Sequence, residues 1–252
     1  MLNAPCYIVS DAHLGVASPQ IERSFVSFLR GLAGDAKSLI INGDLFDFWF
    51  EWKTVIPRHS FRALAALAEL KDAGVDILWV AGNHDCWGGN VLREDVGVTY
   101  VVGPWDGTVA GWRVRIEHGD GLRDSEDRGY RMIRPVMRHP LAIKAFRMLH
   151  PDWASKLAQG SSNASRTYRA RDEGRGLRAY AKQQLENAKD LDLLVYGHSH
   201  VAALERMDSA GVFGNAGSWL DAPTFLKLTD EAIELREWDG SAQGKRLNSI
   251  NR

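Results

Sequence analysis

Short apolar runs recur along the chain at residues 7–10 (YIVS), 38–42 (SLIIN), 76–81 (DILWVA), 112–117 (WRVRIE) and 191–196 (LDLLVY). Their length and β-branched content predict buried strands. Between the early runs the spacing changes to that of helices. Ile21, Phe25, Phe28 and Leu29 fall on one face of residues 19–32, and Phe61, Leu64, Leu67 and Leu70 on one face of 60–72. Strand–helix alternation of this kind predicts α/β layers with right-handed crossovers. The C-terminal third alternates in short, turn-separated runs (VAALERMD, GVFGNAGSW, TFLKLTD, AIELREWD), which predicts antiparallel strands. Residues 240–252 read as a loose tail.

Residues 121–175 interrupt the rhythm. Pro135, Pro140 and Pro151 cut them into short helical pieces, so they read as a helical insertion within a single domain spanning residues 1–252. The insertion is also where the charge lies. Formal net charge over the 252 residues is −1, yet residues 121–180 hold 13 Lys and Arg against 6 Asp and Glu. In residues 131–149, Arg131, Arg134, Arg138, Lys144 and Arg147 are interleaved with Met132, Ile133, Val136, Met137, Leu141, Ile143, Phe146 and Leu149. Cations beside a broad apolar face suit a lipid with an anionic headgroup or an anionic membrane surface, although such a face also packs on a protein's own core. Because the positive excess sits among apolar residues and forms no polar groove, a nucleic-acid partner is not expected.

The remaining bulk properties are ordinary: 45% hydrophobic and 25% charged residues, enough for a large core. Two cysteines, Cys6 and Cys86, make no disulfide framework and suggest a reducing compartment. With no signal-peptide pattern at the N-terminus and no apolar run long enough to span a bilayer, the expected location is cytoplasmic, free or peripheral on the inner face of the cell membrane.

The chemistry is placed by the strands. Each of the five runs ends in a polar cluster: Asp11-Ala12-His13, Gly43-Asp44, Gly82-Asn83-His84-Asp85, His118-Gly119-Asp120 and Gly197-His198-Ser199-His200. In open α/β sheets the carboxyl edge of the strands is where ligands bind. Asp11 with His13, and His198 with His200, are i, i+2 pairs that project to one side of an extended chain. Pooled, the clusters offer carboxylates, imidazoles and one amide oxygen, a set suited to Mn²⁺, Fe²⁺ or Zn²⁺. Seven candidate ligands exceed the needs of one tetrahedral ion and fit two ions sharing a bridging carboxylate. His59, His139 and His150 follow no strand and are not read as ligands.

In order and spacing these five blocks resemble the calcineurin-like metallophosphoesterases. That resemblance implies a four-layer α-β-β-α sandwich of two mixed β-sheets flanked by helices. It also implies Asp11, His13 and His200 on one ion, Asn83, His118 and His198 on the other, and Asp44 bridging. Within that family the chain is most similar to the UDP-2,3-diacylglucosamine hydrolases of lipid A biosynthesis. GDLFDFW at 43–49 resembles their second block, HGDGLRDSEDRGYRMIR and SSNASR their helical lid, and GNAGSW at 214–219 their closing block. The resemblance implies cleavage of a pyrophosphate to UMP and 2,3-diacylglucosamine 1-phosphate by metal-activated hydroxide, with two divalent ions, Mn²⁺ foremost. It gives Asp127 and Ser165 as lid positions that touch substrate. Asn83 and His84 are expected at the substrate too, and Arg166 with Arg169 continues the positive field toward a phosphate. His84 stands where the best-known members carry Arg. We read it as a hydrogen-bond or proton donor to the scissile phosphate, with Asp85 holding its ring. The rival readings are a soluble phosphodiesterase or phosphomonoesterase of the same fold, which His84 favours, and a non-catalytic scaffold, which the full ligand set disfavours.

Overall fold

The computed structural model describes residues 1–123, 127–158, 174–207, 211–241 and 243–252. Two sheets are stacked face to face. The first runs in the order β12-β11-β10-β1-β2-β3-β4 and the second β5-β6-β7-β9-β8. In the first, β1 (Cys6–Val9), β2 (Ser38–Asn42), β3 (Asp76–Val80) and β4 (Thr99–Val101) pair in parallel. Joined antiparallel on the other side of β1 are β10 (Thr224–Leu228), β11 (Ala232–Glu237) and β12 (Lys245–Asn251). In the second sheet β6 (Trp112–Ile116), β7 (Leu193–Tyr196) and β9 (Val212–Asn215) are parallel. Its antiparallel edges are β5 (Trp105–Val109) and β8 (Ala203–Arg206).

Period-two alternation divides each central strand between two cores. Cys6, Ile8, Ile40, Leu78 and Val80 face the second sheet, meeting Val114, Ile116, Leu193 and Val195. Tyr7, Val9, Leu39, Ile41, Ile77 and Trp79 face the other way, against the helices. Those helices are α1 (Pro19–Gly31) and α2 (Phe61–Asp72). Helix α1 starts where the sequence provides a cap: Ser18 accepts from the Ile21 amide and Pro19 fills the first turn. On the far side, Leu177, Ala181 and Leu185 of α6 (Arg175–Asn187) cover Leu194, Tyr196 and Phe213. The result is the expected helix–sheet–sheet–helix layering.

Three expectations need correction. Residues 245–251 are not loose: they form β12, whose ladder runs from Lys245 opposite Glu237 to Asn251 opposite Ala232. Phe61, counted on the buried face of α2, is 70% exposed, because as the helix's first residue it overhangs the core that Leu64, Leu67 and Leu70 fill. Pro135 does not cut the insertion. It lies in the last turns of α3 (Arg128–Met137), while Pro140 opens α4 (Pro140–Arg147) and Pro151 opens α5 (residues 151–158). His139, one of the histidines not read as ligands, caps α4 through Nδ1, which accepts from the Leu141 amide.

The insertion is fastened over the loop that follows β2. Ile143 and Phe146 of α4 and Ala154 of α5 pack on Phe48, Phe50, Trp52 and Trp87. The Trp87 indole donates to the Met137 carbonyl at 2.9 Å, and the Arg147 guanidinium lies over the Phe50 ring. One side of the α4 apolar face is therefore used internally. Another set of apolar side chains, Met132, Val136, Leu141, Met148 and Trp153 among them, remains exposed.

Deleting residues 244–252 tests the tail. It removes the packing of Ile250 on the inter-sheet core and the hydrogen bond from Asn248 to the Leu204 carbonyl. These are worth about 1 kcal/mol each, which corresponds to a fall in Tm of about 4–8 °C by calorimetry. An unchanged Tm is the result a loose tail would give.

Candidate metal centre

The carboxyl ends of β1, β2, β3, β6 and β7 meet at one rim, and the polar clusters meet there with them. Three groups of side chains bring ligand atoms within 4.8 Å of one another: Asp11, His13 and His200; His13, Asp44 and His84; and Asp44, His118 and His198. His13 and Asp44 each belong to two of them. His118 Nε2 lies 3.3 Å from Asp44 Oδ2, and His200 Nε2 lies 3.4 Å from Asp11 Oδ1.

The local backbone explains how short loops achieve this. Asp11, His13, Asp44, His198 and His200 all adopt φ between 44° and 63°, the left-handed region that side chains other than Gly seldom enter. Such residues cluster where surrounding structure over-determines them. Here the loops clamp one another. The Asp11 amide donates to the Gly43 carbonyl and the His13 amide to the Asp44 carbonyl. The His198 amide donates to Asp11 Oδ2 and the His84 amide to Asp44 Oδ1. Glycine permits the approach: a Cβ on Gly82 would lie 2.2 Å from Asp44 Oδ1, and one on Gly43 would lie 2.4 Å from His118 Nδ1.

Partners away from the centre orient the ligands. His118 Nδ1 donates to the Asn42 carbonyl at 2.8 Å, which directs Nε2 inward. His200 Nδ1 pairs with Asp221 at 2.9 Å, and His13 Nδ1 lies 3.6 Å from Asp47. Ser10 donates to Asp11 Oδ2 and Ser218 to the Asp11 carbonyl. The sequence reading passed over Asp47, Asp221, Ser10 and Ser218. Each sits within three residues of a recognised block or inside one, but polar residues near a turn are too common to single out.

The donor set fits divalent cations. Asp11 Oδ1, Asn83 Oδ1 and His118 Nε2 are buried, and each lacks a hydrogen-bond partner among the described residues. Such atoms are costly unless something outside the chain satisfies them. Burial opposes ionisation of Asp11 and Asp44, yet nearby imidazoles, His118 first, hold both below the usual carboxylate range. Burial likewise opposes a charge on His118, but Asp44 and Asp11 raise its pKa well above the ordinary imidazole value. Positive charge is thus drawn to the centre. His13, by contrast, is lowered to about 4 by burial. The Cys86 thiol, pushed up to about 12 by burial, is not a ligand; its Sγ sits 3.8 Å from the Asn83 carbonyl.

His84 is held differently from what the sequence suggests. Its Nδ1 donates to the Asp47 carbonyl at 2.6 Å, and its Nε2 lies 3.8 Å from Asp44 Oδ2, turned toward the centre. Asp85 does not hold that ring. Its carboxylate accepts from the Leu45 and Gly82 amides and the Trp79 indole, so it ties the β3 exit to the β2 loop. Burial and the neighbouring Asp44 raise its pKa to about 7. Asp127, carried over as a substrate contact, is 3% exposed and turned inward, with Oδ1 3.3 Å from His198 Nε2. Ser165, Arg166 and Arg169 lie outside the described residues.

Comparison with known proteins agrees with this geometry. Residues 4–202 match the family model described as Calcineurin-like phosphoesterase. The chain is 32% identical over 221 residues to a UDP-2,3-diacylglucosamine hydrolase of Porphyromonas gingivalis, covering 79% of this chain and 84% of that protein. It is 30% identical over 240 residues to one from Pseudomonas putida (93% and 99%) and 29% identical over 238 residues to one from Pseudomonas syringae pv. syringae (92% and 95%).

Metal addition gives a direct check. Protein stripped with chelator and then supplied with Mn²⁺ at 100 times its Kd gains about 2.7 kcal/mol, a rise in Tm of about 5–11 °C. His118→Ala shows a smaller rise in the same thermal scan.

Proposed function

Because the chain belongs to the calcineurin-like phosphoesterase family, we propose that it is a dinuclear-metal hydrolase cleaving the pyrophosphate of UDP-2,3-diacylglucosamine to UMP and 2,3-diacylglucosamine 1-phosphate. One observation carries the substrate: curated relatives matched over 84% and 99% of their length bear that activity in their names. The exposed apolar side chains of the insertion support it. Met132 is 77% and Leu141 69% exposed, on helices that also carry Arg131, Lys144 and Arg147. A diacylated substrate needs such a surface, and so does peripheral contact with an anionic bilayer on the cytoplasmic face. Among the described residues no helix is long and apolar enough to cross a membrane.

In this reading Asp11, His13, Asp44 and His200 hold one ion, and Asp44, Asn83, His118 and His198 the other. A mixed oxygen and nitrogen set without thiolate suits Mn²⁺, with Fe²⁺ or Zn²⁺ as alternatives. When bound, such a pair supplies Lewis acidity to phosphoryl oxygens and brings a water's pKa near neutrality. The chain's own residues do the rest. His84, pinned through Nδ1 to the Asp47 carbonyl, presents Nε2 beside Asp44 as a donor to the phosphoryl group. Asn83 contributes an oxygen without adding charge. The aromatic shelf of Phe48, Phe50, Trp52 and Trp87 fixes the insertion to the loop that carries Asp47.

His84→Ala is expected to lower turnover by about 10²–10⁴-fold while bound metal, counted by mass spectrometry, stays at the wild-type level. Metal lost in proportion to activity would make His84 a ligand instead. The substrate is settled by comparing specificity constants with Mn²⁺ for the UDP-linked lipid, an aryl phosphodiester and an aryl phosphomonoester. The lipid is expected to lead. The presence of His84 favours the soluble phosphodiesterase reading, and a leading simple diester would establish it.

A further inference from the structure

We propose that Asp127 and Arg123 are a positioning pair for His198, so that the affinity of one ion, and not the other, is set at the root of helix α3. The inference rests on the dinuclear reading above.

Asp127 stands at the N-cap of α3, yet its carboxylate makes no cap there. It turns into the protein instead. Oδ2 accepts from the amides of Gly121 at 3.1 Å and Arg123 at 3.0 Å. Oδ1 accepts from Arg123 Nη2 at 2.6 Å and Nε at 3.1 Å, and lies 3.3 Å from His198 Nε2. Arg123 is itself 5% exposed, and its Nη2 comes within 3.3 Å of the same imidazole nitrogen. A buried ion pair is costly to desolvate, so stability alone is a weak reason for its presence.

What the pair does to His198 follows from donor and acceptor chemistry. A guanidinium can only donate and an ionised carboxylate can only accept. Asp127 Oδ1 and Arg123 Nη2 both lie 3.3 Å from Nε2, but Nη2 directs its short 2.6 Å bond at Oδ1, so the carboxylate is the partner of Nε2. The proton of a neutral imidazole then resides on Nε2, and Nδ1 is the lone-pair nitrogen offered to a cation. The Arg123 fork fixes where Asp127 Oδ1 sits and so fixes the ring. His200 is held otherwise: its Nδ1 pairs with Asp221, whose side chain is 61% exposed, and its Nε2 faces Asp11. The two terminal imidazoles therefore use opposite nitrogens and separate carboxylates. One carboxylate is in solvent; the other is clamped by Arg123 where the insertion begins.

Full-length protein, stripped of metal, is titrated with Mn²⁺ by calorimetry, and retained ions are counted after gel filtration. The wild type is expected to take up two ions. Asp127→Asn weakens one of them by about 10–100-fold and leaves the other unchanged, and Arg123→Lys weakens that same ion by less. Asp221→Asn weakens the second ion, so the Asp127→Asn/Asp221→Asn double variant weakens both. The proposal is overturned if Asp127→Asn binds both ions as tightly as wild type, or if the double variant keeps one tight ion. It also fails if both ions weaken equally, which would mark the pair as structural. Should Asp127→Asn not fold, the Arg123→Lys titration decides between the same outcomes. Uptake of one ion by the wild type would instead overturn the dinuclear reading itself.

Discussion

Two buried carboxylates within reach of the same imidazoles are the constraint on which this structure depends. Asp11 and Asp44 come from neighbouring parallel strands, and both are fully buried. In a low-dielectric interior, charges so placed demand compensation, and among the described residues the protein supplies imidazoles, backbone amide hydrogens and the Ser10 hydroxyl. The rest of the architecture delivers those groups. Parallel pairing within each sheet brings strand exits to one edge, and stacking of the two sheets brings His118 and His198 from the second sheet onto Asp44 from the first. The sandwich is thus more than a stable way of burying apolar strands. It is the arrangement by which ligands from five segments, far apart in sequence, share one small volume.

Much of this was legible in the sequence because strand period and strand exit are local signals. The runs at 38–42 and 76–81 could be read as buried from their composition, and the polar clusters stood out because they ended such runs. What was not legible depended on direction or on distance. Asp85 follows His84 directly, yet its carboxylate points at the Leu45, Gly82 and Trp79 donors, because the turn after β3 carries it under the β2 loop. His84 is held by a carbonyl, and no residue letter advertises a carbonyl. Asp221 and Asp47 act on ligands from other segments. Strand β12 was missed because its side chains are polar and mostly exposed: what holds it is the backbone ladder with β11, which composition does not report.

The insertion divides its apolar residues in a way that periodicity could not foresee. Ile143 and Phe146 are committed to the aromatic shelf, whereas Met132, Val136 and Leu141, of the same composition, face outward. A single stripe would have been satisfied by the core alone. Two sets on different faces mean that packing accounts for one and leaves the other exposed. The shelf also joins the insertion to the centre, since Trp87 lies three residues beyond His84 and Phe48 next to Asp47.

Backbone strain brings these observations together. Five of the candidate ligands occupy left-handed conformations that cost on the order of 1 kcal/mol each. Asp and His tolerate that region better than most residues, which lowers the sum but does not cancel it. Taken together it is a sizeable part of a domain's net stability of about 5–15 kcal/mol. Strain of this size persists only if each loop is held by the others, and the hydrogen bonds from Asp11 to Gly43, His13 to Asp44, His198 to Asp11 and His84 to Asp44 form that mutual hold. A loop fixed by its neighbours cannot relax when one carboxylate meets another, so the electrostatic demand of the centre is kept rather than dissipated. The strain and the affinity for a cation are, on this argument, two expressions of one rigid rim.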